Sequence, residues 1–272
     1  MDINPASKTL GAEISLIDLS GELTGDALAR LRQAWLDHKV LVIRNVDLSE
    51  EDQDRFCRYF GDIAGLKSKN SDSKFLFVTN KDDPDKATAV QLGEMMFHID
   101  QAYAETPCKA STLYSMAIPD EGGNTCFADC EAAYDRLDDD LKAEIDGLSA
   151  LNYFNYGTNP STRPDDIDPT APQHVHPVVR IHPETGRKGL FVNRLMTMRV
   201  DGMDRRDSDA LLEKLFDRLE DPGNVYEHVW QVGDLVLWDN RCTAHARTWY
   251  DPNKRRLLRR MTILDENPVL AA

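Results

Sequence analysis

Short apolar runs alternate along this chain with polar breaks marked by Gly, Pro, Asn and Asp, a rhythm that predicts many strands and a few helices. Strands are expected over 10–17, 40–43, 111–117, 178–181, 189–193, 225–230, 235–238 and 256–264. Helical spacing marks 25–38, where Leu28, Leu31 and Trp35 fall on one face. Ser49 followed by Glu50, Glu51 and Asp52 predicts a capped helix start leading to Phe56 and Tyr59. Further helices are expected from Asp129 or Cys130 through 148 and over 207–219. Mainly β with flanking helices, the pattern suits a double-stranded β-helix (jelly-roll) core. No repeat or long linker divides it, so one domain is expected over 1–272. The polar stretch 65–93, with Lys67, Lys69 and Lys74, predicts a surface loop and a candidate active-site lid.

Composition narrows the function. At 272 residues the chain can bury one sizeable core. A formal charge of −15 excludes a nucleic-acid surface, which needs a basic stripe. The five cysteines are odd in number and lack zinc-type Cys-x-x-Cys spacing, so they read as reduced thiols of a cytoplasmic protein. No apolar run approaches the roughly 20 residues of a membrane span, and no signal peptide is expected at the N-terminus.

The candidate chemistry lies at His98-Ile99-Asp100. If this segment is extended, residues i and i+2 share a face and offer an imidazole and a carboxylate to one ion. One more imidazole, His245, would complete a 2-His-1-carboxylate set, the arrangement that leaves three positions open on non-heme iron(II). His-x-Asp is common by chance, and zinc tolerates the same ligands, so a zinc hydrolase is an alternative. His174 and His176 form a rival pair but have no carboxylate at ligand spacing and suit the start of a strand. His38, His182 and His228 read as structural.

The surroundings of His245 strengthen this reading. Residues 233–241 predict a turn, a short buried strand and a polar turn. Beyond His245, Arg256 and Arg260 stand four apart on an expected strand, both facing inward, with Arg255 and Arg259 facing out. Two inward guanidiniums imply two anions; the competing reading is a basic, solvated edge strand.

With these residues the chain resembles the taurine/2,4-dichlorophenoxyacetate dioxygenase family of Fe(II)/2-oxoglutarate-dependent oxygenases. The likeness runs from Leu10-Gly11-Ala12-Glu13-Ile14 through Glu121-Gly122-Gly123-Asn124-Thr125 and His182-Pro183-Glu184-Thr185-Gly186-Arg187 to Trp238-Asp239-Asn240-Arg241 and Arg260-Met261-Thr262. It implies that His98, Asp100 and His245 ligate Fe(II), that Thr125 and Arg256 hold 2-oxoglutarate, and that Arg260 meets an anionic group of the primary substrate. It also implies O2 as co-substrate, succinate and CO2 as products, and a homo-oligomer. The chain departs from the family pattern at Ile99 and at Gln101-Ala102-Tyr103, where the family more often has Thr or Ser before the aspartate and Phe near the end.

Met96 and Tyr103 beside the ligands, together with the aromatic-rich stretch 151–156, are expected to line an apolar mouth. Such a mouth favours an aryloxyalkanoate or similar hydrophobic acid over a compact sulfonate such as taurine. A non-catalytic metal- or 2-oxoglutarate-binding protein is the alternative from another class.

Overall fold

The computed structural model describes residues 1–67, 72–81, 88–90, 94–154 and 167–272. The strand Val40–Ile43 is apolar at all four positions because both of its faces are covered: Val40 and Val42 enter one core, Leu41 and Ile43 another. Its neighbour Leu235–Asp239 divides the same way, with Val236 and Trp238 in the first core and Leu235 and Leu237 in the second.

Both strands belong to an eight-stranded sheet in the order Asp2–Pro5, Ala12–Ser15, Val40–Ile43, Leu235–Asp239, Ala110–Ala117, Leu257–Ile263, Leu76–Thr79, Thr88–Val90. A four-stranded antiparallel sheet, ordered Val225–His228, Thr125–Asp129, Thr243–Arg247, Met95–His98, faces it, and Phe127 and Tyr226 close the shared core. Two facing, mainly antiparallel sheets with helices outside form the expected jelly roll.

The helices Gly25–His38 and Glu50–Arg58 cover the outer face of the large sheet with Leu31, Trp35 and Phe56. Ser49 and Asp52 form the capping box that starts the second helix. The helix Arg205–Leu219 covers the outside of the smaller sheet, where Ala128 and Ala244 share its core.

Several expectations change. The single helical stretch from 130 to 148 is two helices, Cys130–Asp135 and Asp139–Ile145, because the Asp138 side chain accepts a hydrogen bond from the Leu141 N–H and starts a new helix. Strands at Thr125–Asp129, Gln173–Pro177 and Thr197–Val200 join the expected set. The segment expected as a surface lid contributes the strands Leu76–Thr79 and Thr88–Val90 to the large sheet. Lys74 pairs with Asp54 at 3.3 Å, while Lys69 and the Lys67 side chain lie outside the described residues. Arg259 faces away from Arg260, as expected, but toward the Glu50–Arg58 helix and not toward solvent. It is buried there, with Nε donating to Gln53 Oε1 at 2.6 Å and Nη2 to the Leu48 carbonyl at 2.7 Å.

Candidate metal and co-substrate site

Antiparallel pairing places His245 directly across from His98, so two residues 147 positions apart become neighbours, with ring centroids 4.0 Å apart. Both Nε2 atoms turn toward one oxygen of Asp100: His98 Nε2 lies 3.8 Å from Asp100 Oδ1 and His245 Nε2 lies 3.9 Å from it. These distances are too long for hydrogen bonds, and the three side chains are buried. His98 Nδ1 sits 3.0 Å from the Met96 carbonyl; donation there fixes the tautomer that leaves the Nε2 lone pair facing the gap.

The expectation that an extended strand would carry both His98 and Asp100 needs correction. The strand Met95–His98 ends at the histidine, Ile99 turns into the helix-side core, and Asp100 opens a turn in which Gln101 has φ 56°. Asn240 holds that turn. Its side-chain oxygen accepts from the Asp100 N–H at 2.9 Å, and its Nδ2 donates to the Asp100 and Cys108 carbonyls, each at 2.9 Å.

The two oxygens of Asp100 have different surroundings. Oδ1 faces the imidazoles, whereas Oδ2 accepts from Arg260 Nη2 at 2.5 Å and from Ser111 Oγ at 3.0 Å. Burial alone would raise this carboxyl's pKa, but Arg260 and the two imidazoles outweigh it and hold the group below the usual carboxylate range. Burial lowers the pKa of both His98 and His245. Neutral imidazoles beside an ionised carboxylate are the protonation states a divalent metal requires. The mixed nitrogen and oxygen donors suit a first-row metal such as iron(II), so the residues fit the ion.

One cavity joins this cluster to the arginines. Its lining includes His98, Asp100, Thr125, His245, Arg256 and Arg260, and its apolar wall includes Leu76, Val78, Met95 and Leu113. Gly123, at φ 67°, lets Arg256 run close: a Cβ there would meet Arg256 Nε at 3.0 Å. Arg256 in turn donates from Nε and Nη2 to the Gly123 carbonyl at 3.2 and 3.0 Å. Thr125 Oγ1 accepts from Trp230 Nε1 at 3.0 Å.

The structure brings together six of the residues singled out from sequence. It puts Met95 on the cavity wall in place of Met96, and Tyr103 against Phe154, with ring centroids 4.7 Å apart. Of the aromatic-rich stretch, Leu151, Asn152 and Tyr153 are buried on the strand Ser149–Tyr153, and Asn155 and Tyr156 lie outside the described residues. His176 is fixed by the Ala104 carbonyl at 2.8 Å, in keeping with a structural role.

Asn240, Ser111, Trp230 and Arg247 were not marked as site residues by sequence reasoning. For Arg247 a signal existed: it stands two residues after His245, so on a strand it shares that ligand's face.

A family model described as "Taurine catabolism dioxygenase TauD, TfdA family" matches residues 2–262. The chain is 33% identical over 270 residues to the (S)-phenoxypropionate/alpha-ketoglutarate-dioxygenase of Sphingobium herbicidovorans, covering 94% of this chain and 92% of the relative. It is 32% identical over 268 residues to an alkylsulfatase of Acinetobacter baylyi, covering 94% and 83% respectively. Among solved structures, that of AAD-2 in complex with Mn(II) and N-oxalylglycine matches with a TM-score of 0.85 at 30% identity, covering 99% of this chain and all of that one. The chain therefore belongs to the TauD/TfdA dioxygenase family.

Proposed function

We propose that this protein hydroxylates a small, anionic, largely apolar organic acid of the aryloxyalkanoate kind, and that His98, Asp100 and His245 hold its iron. It is an Fe(II)- and 2-oxoglutarate-dependent dioxygenase. The observation that carries the residue assignment is the convergence of two imidazoles and one carboxylate within 4.8 Å of one another, in a cavity whose lining also includes Thr125 and Arg256. Bound Fe(II), with 2-oxoglutarate and O2, supplies the oxidant that hydroxylates a carbon and releases succinate and CO2.

The chain's own residues supply position. Asn240 and Ser111 orient Asp100, so that Oδ1 meets the metal while Oδ2 is occupied. Thr125 and Arg256 receive the far carboxylate of 2-oxoglutarate, Arg256 as a planar fork suited to two oxygens. Arg260 holds Asp100 and lines the cavity, where its positive charge would attract the substrate anion. Met95, Leu76 and Val78 give the body of the substrate an apolar wall and exclude water.

The sulfonate and sulfate-ester reading is kept as the second one, because the alkylsulfatase relative shares nearly the full length. All five cysteines are free, in keeping with the reduced, cytoplasmic setting proposed for them; among the described residues no helix is long and apolar enough to cross a membrane.

Anaerobic addition of Fe(II) and 2-oxoglutarate should give the weak charge-transfer absorption of the chelate. A panel of aryloxyalkanoates, alkylsulfonates and alkyl sulfates, scored by succinate release, then ranks the substrates. Absence of the absorption in wild type would sink the metal assignment, and activity with Zn(II) without oxygen uptake would support a hydrolase.

A further inference from the structure

Trp230 stands two positions beyond the end of the strand Val225–His228, whose last residue pairs with Thr125. Its indole Nε1 donates to Thr125 Oγ1 at 3.0 Å, and the two residues are nearly dry, at 5% and 3% exposure. The indole is itself held in place. His228 packs edge-on against it, with ring centroids 4.4 Å apart and planes at 90°, and Asp234 Oδ2 lies 3.1 Å from His228 Nε2. The backbone is tied down on either side: the Val229 carbonyl accepts from Arg44 Nη1 at 3.2 Å, and the Gln231 N–H donates to Asp234 Oδ2 at 2.9 Å.

We propose that Trp230 is a positioning residue of the co-substrate site, setting Thr125 so that its hydroxyl hydrogen is donated to the far carboxylate of 2-oxoglutarate; this rests on the function proposed above. An indole N–H can only donate, so its bond takes a lone pair of the Thr125 hydroxyl and leaves the hydroxyl hydrogen to be given elsewhere. Thr125 lines the cavity, and a carboxylate arriving there can only accept. Donor and acceptor therefore match. With one lone pair filled from the indole side, the hydroxyl has fewer directions to turn, and a hydroxyl that accepts one hydrogen bond donates the next more strongly. Its orientation is largely settled before the ligand enters, so less ordering is left for binding to do.

The test is anaerobic titration of the Fe(II) protein, followed by the chelate absorption, in wild type, Trp230→Phe, Thr125→Val and the double variant. Two ligands are compared: 2-oxoglutarate, and pyruvate, which keeps the chelating end and lacks the far carboxylate. Loss of the indole N–H should weaken 2-oxoglutarate binding by about 3- to 10-fold, the scale of one neutral hydrogen bond. Thr125→Val should lose at least as much, and adding Trp230→Phe to it should change nothing further, because the indole acts only through the hydroxyl. Pyruvate should bind all four proteins equally.

Unchanged 2-oxoglutarate affinity in folded Trp230→Phe overturns the proposal. So does an equal fall for pyruvate, or the same fall in the Thr125→Val background, either of which would mean that the indole only packs. Thermal melting checks that the variants fold; should Trp230→Phe melt early, replacing Trp230 by its benzothiophene analogue removes the N–H while keeping the ring shape and decides the point by the same titration. Failure of wild type to bind 2-oxoglutarate, or wild-type affinity in Thr125→Val, would instead overturn the proposed function's own assignment of the site.

Discussion

Two buried clusters in this molecule each bring together a histidine, an aspartate and a third potential ligand, yet they are built for opposite ends. Both His98, Asp100, His245 and His182, Asp239, Cys242 place their donor atoms within 4.8 Å of one another. In the second cluster the protein itself uses the lone pairs. Arg241 donates from Nε to Asp239 Oδ1 at 2.8 Å and from Nη2 to Oδ2 at 2.6 Å, and His182 Nε2 reaches Oδ2 at 3.0 Å. His182 Nδ1 accepts from the Glu184 and Thr185 N–H groups at 3.2 and 3.1 Å. Burial and the Asp239 charge raise the Cys242 pKa well above its ordinary value, so it stays a thiol and a poor ligand. In the first cluster two imidazole lone pairs converge on a carboxylate oxygen without bonding it, and a cavity lies beside them. Residue type and spacing do not separate the clusters; the fate of each lone pair does.

Removing a donor from each cluster should break this contrast most visibly. His245→Ala should abolish the chelate absorption and lower Fe(II) affinity by about 100-fold or more, since a direct ligand outweighs the 10- to 100-fold effect of a supporting residue. Its melting temperature should fall less than that of Arg241→Ala, because His245 Nδ1 has no hydrogen bond to lose and the fold gives up only the ring's packing against Phe127 and Trp238. Arg241→Ala should do the reverse. It leaves Asp239 ionised, buried and short of partners, which costs about 3–5 kcal/mol in denaturant unfolding, with one Fe(II) still bound per folded chain. Loss of iron from Arg241→Ala that remains folded would erase the distinction between the clusters.

Much of this was legible in the chain. The facing sheets were readable because their strands are apolar runs bounded by turn residues, and His98, Asp100, His245, Thr125, Arg256 and Arg260 do line one cavity. Where sequence reasoning failed, a distant partner decides the structure. Asp100 shares a face with His98 through a turn held by Asn240, 140 positions away, and not through continued strand. Thr125–Asp129 was missed as a strand because its pattern is Thr-Cys-Phe-Ala-Asp, and only the Thr243–Arg247 and Val225–His228 strands on either side make it one. Arg259 looked solvent-facing because alternation gives the face of a sheet but not what covers it.

Asn240→Ala probes the first cluster without touching a ligand. Three buried hydrogen bonds go, leaving the Asp100 N–H and the Asp100 and Cys108 carbonyls without their partner, so unfolding should become easier by about 1–3 kcal/mol for each group left unsatisfied. Asp100 then loses its fixed turn, and Fe(II) affinity should fall about 10- to 100-fold while the metal-free fold persists at low temperature. Asn240→Asp is the sharper variant, since it keeps the acceptor for the Asp100 N–H and loses both donated bonds. Affinity midway between wild type and Asn240→Ala would confirm that the turn is held from both sides; wild-type affinity in both variants would show that the turn needs no such support.

The smallest effect is expected from Cys242→Ala in the second cluster. Its thiol makes one weak contact, 3.9 Å to the Asp239 carbonyl, and fills a buried site, so its loss should cost about 1 kcal/mol, the scale of one deleted buried group. Metal stoichiometry, measured after dialysis against Fe(II) or Zn(II), should stay at that of wild type, because Arg241 and His182 already occupy Asp239. A fall of one metal per chain in this variant, with His245→Ala also losing one, would mean that the second cluster binds an ion after all, and that a saturated carboxylate can be reopened by a metal.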